Sequence, residues 1–284
     1  MYEALDRPLF RPVLAALATM QASWRLRKLC RVTYENAWIH EFPDGVLVEP
    51  RPRLRGLPEI ERTVKDMWMY EYLPRVGDIV FDIGAGTGWE TLFFSRSVGG
   101  SGRVISVEAH PRTFACLTET CRRNRLQNVT PINRAVMNNE GEVLISDDAD
   151  FANNNVFWMK SGIPVPCVTL DGLFASSQLP RIDLLKMNIE GAERLALAGM
   201  TKAIRYTRRV SVACHDFVAD QGGSQEMRSK AAVTAFLEEN GFEISLRSSD
   251  PRPWIRDCVY GRNAHCRCPE PDAELVGQAI VSPR

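Results

Sequence analysis

The sequence predicts an α/β fold, in which a mostly parallel sheet carries helices on both faces and follows a helical and hairpin segment. From residue 76, short apolar runs alternate with helical stretches, which is the pattern of a parallel sheet covered on both sides. A glycine-rich loop at residues 84–88 closes the first apolar run and opens a helix. The 284 residues are 45% hydrophobic and 25% charged, which suits one large domain or a domain with an appendage.

The first 75 residues are predicted to be helical and then irregular. We expect a helix near the start, with one apolar stripe made of Leu14, Leu17, Trp24 and Leu26. Four cations between residues 25 and 31 fit a helix C-terminus, where positive charge interacts favourably with the dipole. A membrane-surface helix and a transit peptide are the alternatives. The Asp44-Gly45 pair predicts the tip of a hairpin.

The remainder of the chain predicts strands and helices in alternation. Apolar or β-rich runs predict strands at residues 78–83, 103–107, 129–136, 142–145, 165–170, 182–187, 210–214, 242–246 and 254–260. Helical stretches lie at residues 89–97, 113–124, 192–200 and 225–240. Ligands of such sheets bind outside the carboxyl ends of the strands, so we expect functional residues directly after each run.

Composition and charge exclude several classes of protein. The formal net charge is zero, whereas a dedicated nucleic-acid binder normally has a basic excess. No apolar stretch approaches the roughly 20 residues of a membrane helix, and no secretory signal pattern is present. The eight cysteines contain no Cys-x-x-Cys pair, so we expect reduced thiols and a cytoplasmic protein. A metal site is a weaker alternative for Cys258, His265, Cys266 and Cys268.

The glycine loop favours one cofactor over another. Counted from Gly84, a dinucleotide-binding loop would place a small residue at position 89, where this chain has Trp89. Asp82 lies just under the loop, where a carboxylate suits a cation better than a pyrophosphate. S-adenosylmethionine carries an ammonium and a sulfonium and has no phosphate, so it fits this loop better than NAD. A glycine turn that only connects strand to helix is the alternative.

Polar residues follow the next two predicted strands. Glu108 ends the second strand, where an acidic side chain can accept both ribose hydroxyls of a nucleoside. A surface glutamate is the alternative. Asn133 follows the third strand, where it could meet an adenine edge or serve only as a turn residue.

The later strand ends supply candidates for catalysis. Asn188 and Glu190 follow the strand at residues 182–187, and Glu190 could instead be a helix-start carboxylate, as Glu193 is expected to be. His215 and Asp216 follow the strand at residues 210–214. An ordinary histidine has a pKa near 6.5, so a neutral His215 could accept a proton, although strand-end histidines are often structural.

Four segments together resemble the FkbM family of S-adenosylmethionine-dependent methyltransferases. They are the loop at residues 82–90, residues 104–111, residues 168–172, and the Leu-Leu-Lys-Met-Asn-Ile-Glu-Gly-Ala-Glu run at residues 184–193. The resemblance implies the seven-stranded class I methyltransferase fold, with an antiparallel final strand, and O-methylation of a hydroxyl on a sugar or natural product. It also implies cofactor contacts at Asp82, Gly84, Gly86 and Glu108.

The chain departs from the family at one position. Family members usually have Lys-Ile-Asp-Val-Glu-Gly, and here Asn188 replaces the aspartate. Asparagine cannot take a proton at neutral pH, which argues against a base or metal ligand at this position. We therefore expect no metal, with His215 as the first candidate for the base. Asp216 would orient His215 or act itself, and Glu190 is a further candidate.

The predictions combine into one assignment. The cofactor site is expected to contain Asp82, Gly84, Ala85, Gly86, Gly88, Glu90, Thr91, Glu108, Ala109, Asn133, Ala135 and Asn188. Residues 1–75 would form a cap or substrate segment, residues 76–264 the S-adenosylmethionine-binding domain, and residues 265–284 a tail. The partner would be a small-molecule or glycan hydroxyl acceptor, without nucleic acid, and a homodimer is possible. A non-catalytic nucleoside-binding module and a nicotinamide-dependent oxidoreductase are the alternative functions.

Overall fold

The centre of the molecule is a seven-stranded sheet, seen in a computed structural model that describes residues 6–52, 55–147, 156 and 162–268. Its strands, in spatial order, are β12 (Phe242–Leu246), β13 (Cys258–Asn263), β11 (Arg209–Ala213), β10 (Leu184–Met187), β4 (Ile79–Ile83), β5 (Arg103–Glu108) and β6 (Val129–Asn133). All neighbouring pairs are parallel except those of β13, which is antiparallel to both β11 and β12. The predicted fold class is confirmed.

Helices cover both faces of this sheet, except that the first helix packs on a smaller sheet described below. They are α1 (Arg11–Leu26), α2 (Leu57–Met67), α3 (Trp89–Val98), α4 (Pro111–Arg123), α5 (Leu170–Ser177), α6 (Glu193–Ala198), α7 (Asp216–Asp220), α8 (Lys230–Glu239) and α9 (Pro253–Arg256). One core cluster joins α2 and α3 to the sheet, and another joins α5, α6 and α8 to it. Every residue of β4 is buried, as expected for a central strand between two helix layers.

A small antiparallel sheet precedes the large one. It consists of β1 (Arg31–Tyr34), β2 (Trp38–Phe42) and β3 (Gly45–Glu49), with the predicted hairpin turn between β2 and β3. The predicted apolar stripe of α1 is wrong in part, because Trp24 is 84% and Leu17 47% exposed. The buried face instead consists of Leu14, Ala18 and Ala22, since small side chains allow close approach of the helix to β1 and β2.

Three other elements differ from their predicted boundaries. The strand expected at residues 129–136 breaks at Arg134, and β7 (Ala135–Val136) joins β8 (Gly141–Ile145) and β9 (Ile163–Val168) in a separate sheet. The helix expected at residues 225–240 begins with a separate 3₁₀ turn, Gln225–Met227, before α8. The start of the strand expected at residues 254–260 is helical, because Pro253 opens α9.

The cysteines correct one further expectation. Cys266 and Cys268 form a disulfide, so not all eight cysteines are reduced thiols. Cys258 is buried and free, and no metal-binding group of three or more ligands occurs in the described part of the chain. The predicted tail lies outside the described residues from residue 269 onward, and the boundary at residues 75 and 76 stays a prediction. No helix among the described residues is long and apolar enough to cross a membrane.

Candidate functional site

A cleft opens at the carboxyl ends of β4, β5 and β10, where the fold class places its ligands. Its volume is about 240 Å³. Of the predicted cofactor residues, those that line it are Gly84, Gly86, Glu90, Glu108, Ala109, Ala135 and Asn188. The cleft therefore collects residues from four strand ends that are up to about 100 positions apart in the sequence.

Glycine is required at the start of the loop. Gly84 has a φ of +73°, and an added Cβ would lie 1.8 Å from the main-chain oxygen of Asn188. The N–H groups of Gly84 and Ala85 both donate to the Val107 carbonyl, at 2.9 and 3.0 Å. These contacts hold the loop between the ends of β5 and β10, and only a residue without a side chain fits at Gly84.

Glu108 is oriented by two main-chain donors. Its Oε2 accepts the Gly86 N–H at 3.0 Å, and its Oε1 accepts the His110 N–H at 2.9 Å. Burial raises the pKa of Glu108 to about 7, although both hydrogen bonds favour the charged form. Each carboxylate oxygen keeps a further lone pair, so the group can accept two neighbouring hydroxyls presented in the cleft.

Asp82 lies beneath the loop and has no exposed surface, which differs from the direct cofactor contact that we expected. Its Oδ1 pairs with Lys186 Nζ at 2.9 Å, and its Oδ2 accepts the Thr91 hydroxyl at 2.6 Å. Lys186 also donates to the Gly84 carbonyl at 2.7 Å. Asp82, Thr91 and Lys186 thus support the loop from below. The Asp82 carboxylate is already paired with Lys186, so it does not contact the cofactor directly.

The charge of Lys186 is set by its neighbours. Burial lowers the pKa of this ammonium, but the carboxyl groups of Asp82 and Glu90 raise it more, so the pKa is raised. Glu90 lines the cleft, and its Oε1 accepts the indole N–H of Trp68 at 3.2 Å. Burial raises the pKa of Glu90. Trp68 directly follows α2, so the chain before the large sheet also shapes the cleft.

His215 is buried between two carboxylates and does not line the cleft. Its Nδ1 lies 3.0 Å from Glu193 Oε1, and its Nε2 lies 3.2 Å from Glu190 Oε2. Burial lowers the pKa of the imidazole, but Glu190 and Glu193 raise it further, so the pKa lies well above its usual value. The arrangement differs from the neutral base that we expected, because a carboxylate oxygen at each ring nitrogen favours the protonated imidazole, which has no free lone pair.

The other predicted catalytic residues separate into two groups. Glu190 and Asn188 line the cleft. Asp216 does not, because its Oδ1 accepts the N–H groups of Ser229 and Lys230, both at 2.9 Å, at the start of α8. This residue caps a helix and neither orients His215 nor reaches the cleft.

Three predicted cofactor residues do not line the cleft and instead pack or bond within the fold around it. Asn133 Nδ2 donates to the carbonyls of Glu108 and Ala109, both at 2.9 Å, and so braces the end of β5. Ala85 is fully buried. Gly88 has a φ of +94°, and an added Cβ would lie 2.9 Å from the Leu117 side chain on α4.

Glu49 is a residue of the site region that sequence reasoning missed. It ends β3 in the small sheet and is 1% exposed. Its Oε1 accepts the Thr87 hydroxyl at 3.0 Å and also the indole N–H of Trp89. Thr87 belongs to the glycine loop, Trp89 is the first residue of α3, and both line the cleft. No sequence signal links Glu49 to the loop, since the two are about 40 residues apart and in different sheets.

Comparison with known proteins decides the family. The model of the FkbM methyltransferase domain matches residues 82–244, more than half of the chain. The chain belongs to the FkbM methyltransferase family. A curated relative, the hexuronic acid methyltransferase AglP of Haloferax volcanii, is 24% identical over 177 residues, which cover 61% of this chain and 72% of AglP.

Two solved structures are also similar to this FkbM methyltransferase. The FkbM methyltransferase of Methylobacillus flagellatus matches at 19% identity and a TM-score of 0.49, covering 70% of this chain and 47% of that one. The chain thus spans about half the length of that protein. The fibrillarin of Aeropyrum pernix, solved with natively bound S-adenosylmethionine, matches at 15% identity and a TM-score of 0.41, covering 81% and 96%.

Proposed function

We propose that this FkbM methyltransferase binds S-adenosylmethionine in the cleft and methylates a hydroxyl of a sugar or related natural-product acceptor. The observation that carries the proposal is Glu108, held by the Gly86 and His110 amides at the strand end where a ribose would bind. The ionisable groups of the described lining are three carboxyl groups, Glu90, Glu108 and Glu190, and the guanidinium of Arg134. This balance suits a sulfonium and an ammonium better than the pyrophosphate of NAD.

Glu190 is the residue best placed to receive the acceptor's proton. Bound S-adenosylmethionine supplies a methyl group on a positively charged sulfur, which is a good leaving group. The acceptor oxygen still has to lose a proton, and Glu190 lies in the cleft while His215 does not. Glu190 has a φ of +50°, an uncommon conformation for a residue with a side chain, and its ion pair with His215 fixes the carboxylate in this position.

The proposed roles divide between positioning and proton transfer. Glu108 holds the ribose, the glycine loop approaches the donor closely, and His215 is a positioning residue for Glu190. Alignment of this kind supplies about 7–11 kcal/mol of barrier reduction, and a general base adds about 10²–10⁴-fold in rate. Asn188 borders the same cleft, where its amide can donate or accept a hydrogen bond without taking a proton.

A sugar acceptor is supported by AglP, whose name states that it methylates a hexuronic acid. A hexuronic acid offers hydroxyl oxygens and a carboxylate, and only a hydroxyl needs a base. The role given to Glu190 therefore requires methylation of a hydroxyl. The cytoplasmic location remains a prediction.

The first experiment separates the candidate functions. Calorimetry with S-adenosylmethionine and with NAD tests the cofactor, and tighter binding of NAD would contradict the proposal. Labelled S-adenosylmethionine is then incubated with a panel of hexuronic acids, neutral glycosides and polyketides. A labelled product that survives mild alkali is a methyl ether, as expected, whereas an alkali-labile product is an ester and would exclude hydroxyl methylation. Binding without any product would favour a nucleoside-binding module.

The second experiment tests the base. Glu190→Gln should lower turnover about 10²–10⁴-fold, far more than it lowers S-adenosylmethionine affinity, because the amide cannot take the proton. Glu226→Gln is the matched control, since Glu226 is exposed on a neighbouring 3₁₀ turn and outside the cleft. Normal turnover of the folded Glu190→Gln variant would mean that positioning alone drives the reaction.

A further inference from the structure

Helix α1 has two apolar faces, and only one of them is buried in the fold. Leu14, Ala18 and Ala22 pack toward the small sheet. The opposite face, which we call the outer face, carries four exposed apolar side chains: Val13 (58%), Leu17 (47%), Met20 (62%) and Trp24 (84%). With about 100° of rotation per residue, these four lie within an arc of roughly 60°. They form a continuous apolar stripe along the helix, whereas scattered surface hydrophobics need no explanation.

Exposed cations lie at the two ends of the outer face. Between residues 7 and 34 the chain has no Asp or Glu, but it has the six cations Arg7, Arg11, Arg25, Arg27, Lys28 and Arg31. Three of the six are paired with carboxylates outside this segment: Arg11 with Asp6, Arg25 with Glu59 and Arg31 with Glu41. Arg7, Arg27 and Lys28 are exposed, and the described residues place no ion pair on them. Leu29, 87% exposed, continues the apolar surface among these cations.

We propose that the outer face of α1 docks on the surface of an anionic lipid bilayer. A helix with Trp and aliphatic residues on one side and cations at its borders binds in the interface plane, through apolar burial and attraction to anionic headgroups. A second copy of the chain fits the face less well. Two α1 helices packed together would bring cations of one copy against cations of the other, with no carboxylate between residues 7 and 34 to balance them.

Docking through α1 would place the enzyme in a defined orientation. α1 packs on β1 and β2, and β3 of the same sheet contacts the glycine loop through Glu49. The surface that meets the bilayer is therefore connected to the cleft through one small sheet. This inference is independent of the acceptor and of the base, because it uses no residue of the cleft.

Vesicle sedimentation of the full chain tests the proposal. Vesicles of phosphatidylcholine with about 30% phosphatidylglycerol should bind the protein, pure phosphatidylcholine should bind it much more weakly, and raising salt from about 0.1 to about 0.5 M should release it. Trp24→Ser and the pair Arg27→Glu with Lys28→Glu should each lower the partition coefficient about tenfold or more. Trp254→Ser is the matched control, since Trp254 is 48% exposed and lies on α9.

The outcomes separate the possible occupants of the face. Because the substituted side chains are exposed, we expect the α1 variants to keep the S-adenosylmethionine affinity and thermal stability of the wild type. Unchanged values would show that the variants fold. No binding of the wild type to anionic vesicles would overturn the proposal, as would binding that the α1 variants leave unchanged. A dimer in sedimentation velocity that Trp24→Ser dissociates, without vesicle binding, would assign the face to a second copy instead.

Discussion

The carboxyl groups in the cleft and behind it differ in pKa because their neighbours differ. Glu108 is buried against two amide donors and has a raised pKa. Glu193 is fully buried behind the cleft, but its pKa is lowered, since His215 and Ser229 outweigh the effect of burial. The two glutamates therefore respond differently to pH, and Glu108 and the His215 partner of Glu193 each give a separate measurement.

Glu108 should make cofactor binding depend on pH. Its pKa is about 7, so the charged form, which is the better acceptor for ribose hydroxyls, becomes dominant above neutral pH. We expect S-adenosylmethionine affinity to increase between about pH 6 and about pH 8. Glu108→Gln should weaken binding about ten- to a hundredfold, equivalent to about 1.5–3 kcal/mol, and remove this dependence. Calorimetry across the range measures both effects, with exposed Glu239→Gln as control; a flat wild-type profile would contradict the assignment.

His215 should make folding stability depend on pH in the opposite direction. Burial lowers the pKa of His215, but Glu190 and Glu193 raise it more, so the pKa is raised in the folded protein. The folded state therefore binds the proton more tightly than the unfolded state. The added stability is complete below about pH 6.5 and is lost as pH rises through the folded pKa. The free energy of unfolding is measured by urea denaturation at a series of pH values. His215→Gln should flatten its decline with rising pH. Equal slopes in both proteins would show that the ring is not charged.

The glycine loop is an element whose packing depends on the absence of a side chain. At Gly84 a Cβ would overlap the main-chain oxygen of Asn188, and the φ is positive. Gly84→Ala should lower the free energy of unfolding by at least about 2 kcal/mol and weaken S-adenosylmethionine binding. Gly100→Ala is the control, because a Cβ there meets nothing within 4 Å. Urea denaturation compares the two, and equal stabilities would mean that the loop shifts freely away from β10.

One predicted strand boundary was wrong because the local sequence pattern does not show where a strand leaves its sheet. Val129 to Val136 reads as one apolar run, yet the chain leaves the large sheet at Arg134 and enters another. Local pattern cannot distinguish one strand from two consecutive strands in different sheets, because both alternate in the same way. Local sequence was also misleading at Asp216. Its position next to His215 suggested catalysis, but its partners lie at the start of α8, 13 residues later.

The small sheet is joined to the large sheet beside the cleft by the hydrogen bonds of Glu49. The buried Glu49 of the small sheet accepts hydrogen bonds from Thr87 of the loop and from Trp89 at the start of α3. Glu49→Ala should destabilise the protein by about 1–3 kcal/mol, since it removes the acceptor of the buried Thr87 hydroxyl, and should weaken S-adenosylmethionine binding several-fold. Glu41→Ala, half-buried on β2, is the control. Thermal melting and calorimetry test this, and unchanged affinity would show that the small sheet does not support the cofactor site.

The sequence by itself determined the fold class, the position of the glycine loop and the family. These depend on local features, namely hydrophobic periodicity and short motifs, which are complete within a few neighbouring residues. Only the tertiary structure decided that Lys186 pairs with Asp82, that His215 lies between Glu190 and Glu193, and that Glu49 reaches the loop. Each of these depends on distance between residues far apart in the chain, because charge state and burial are set by spatial neighbours, which no local pattern specifies.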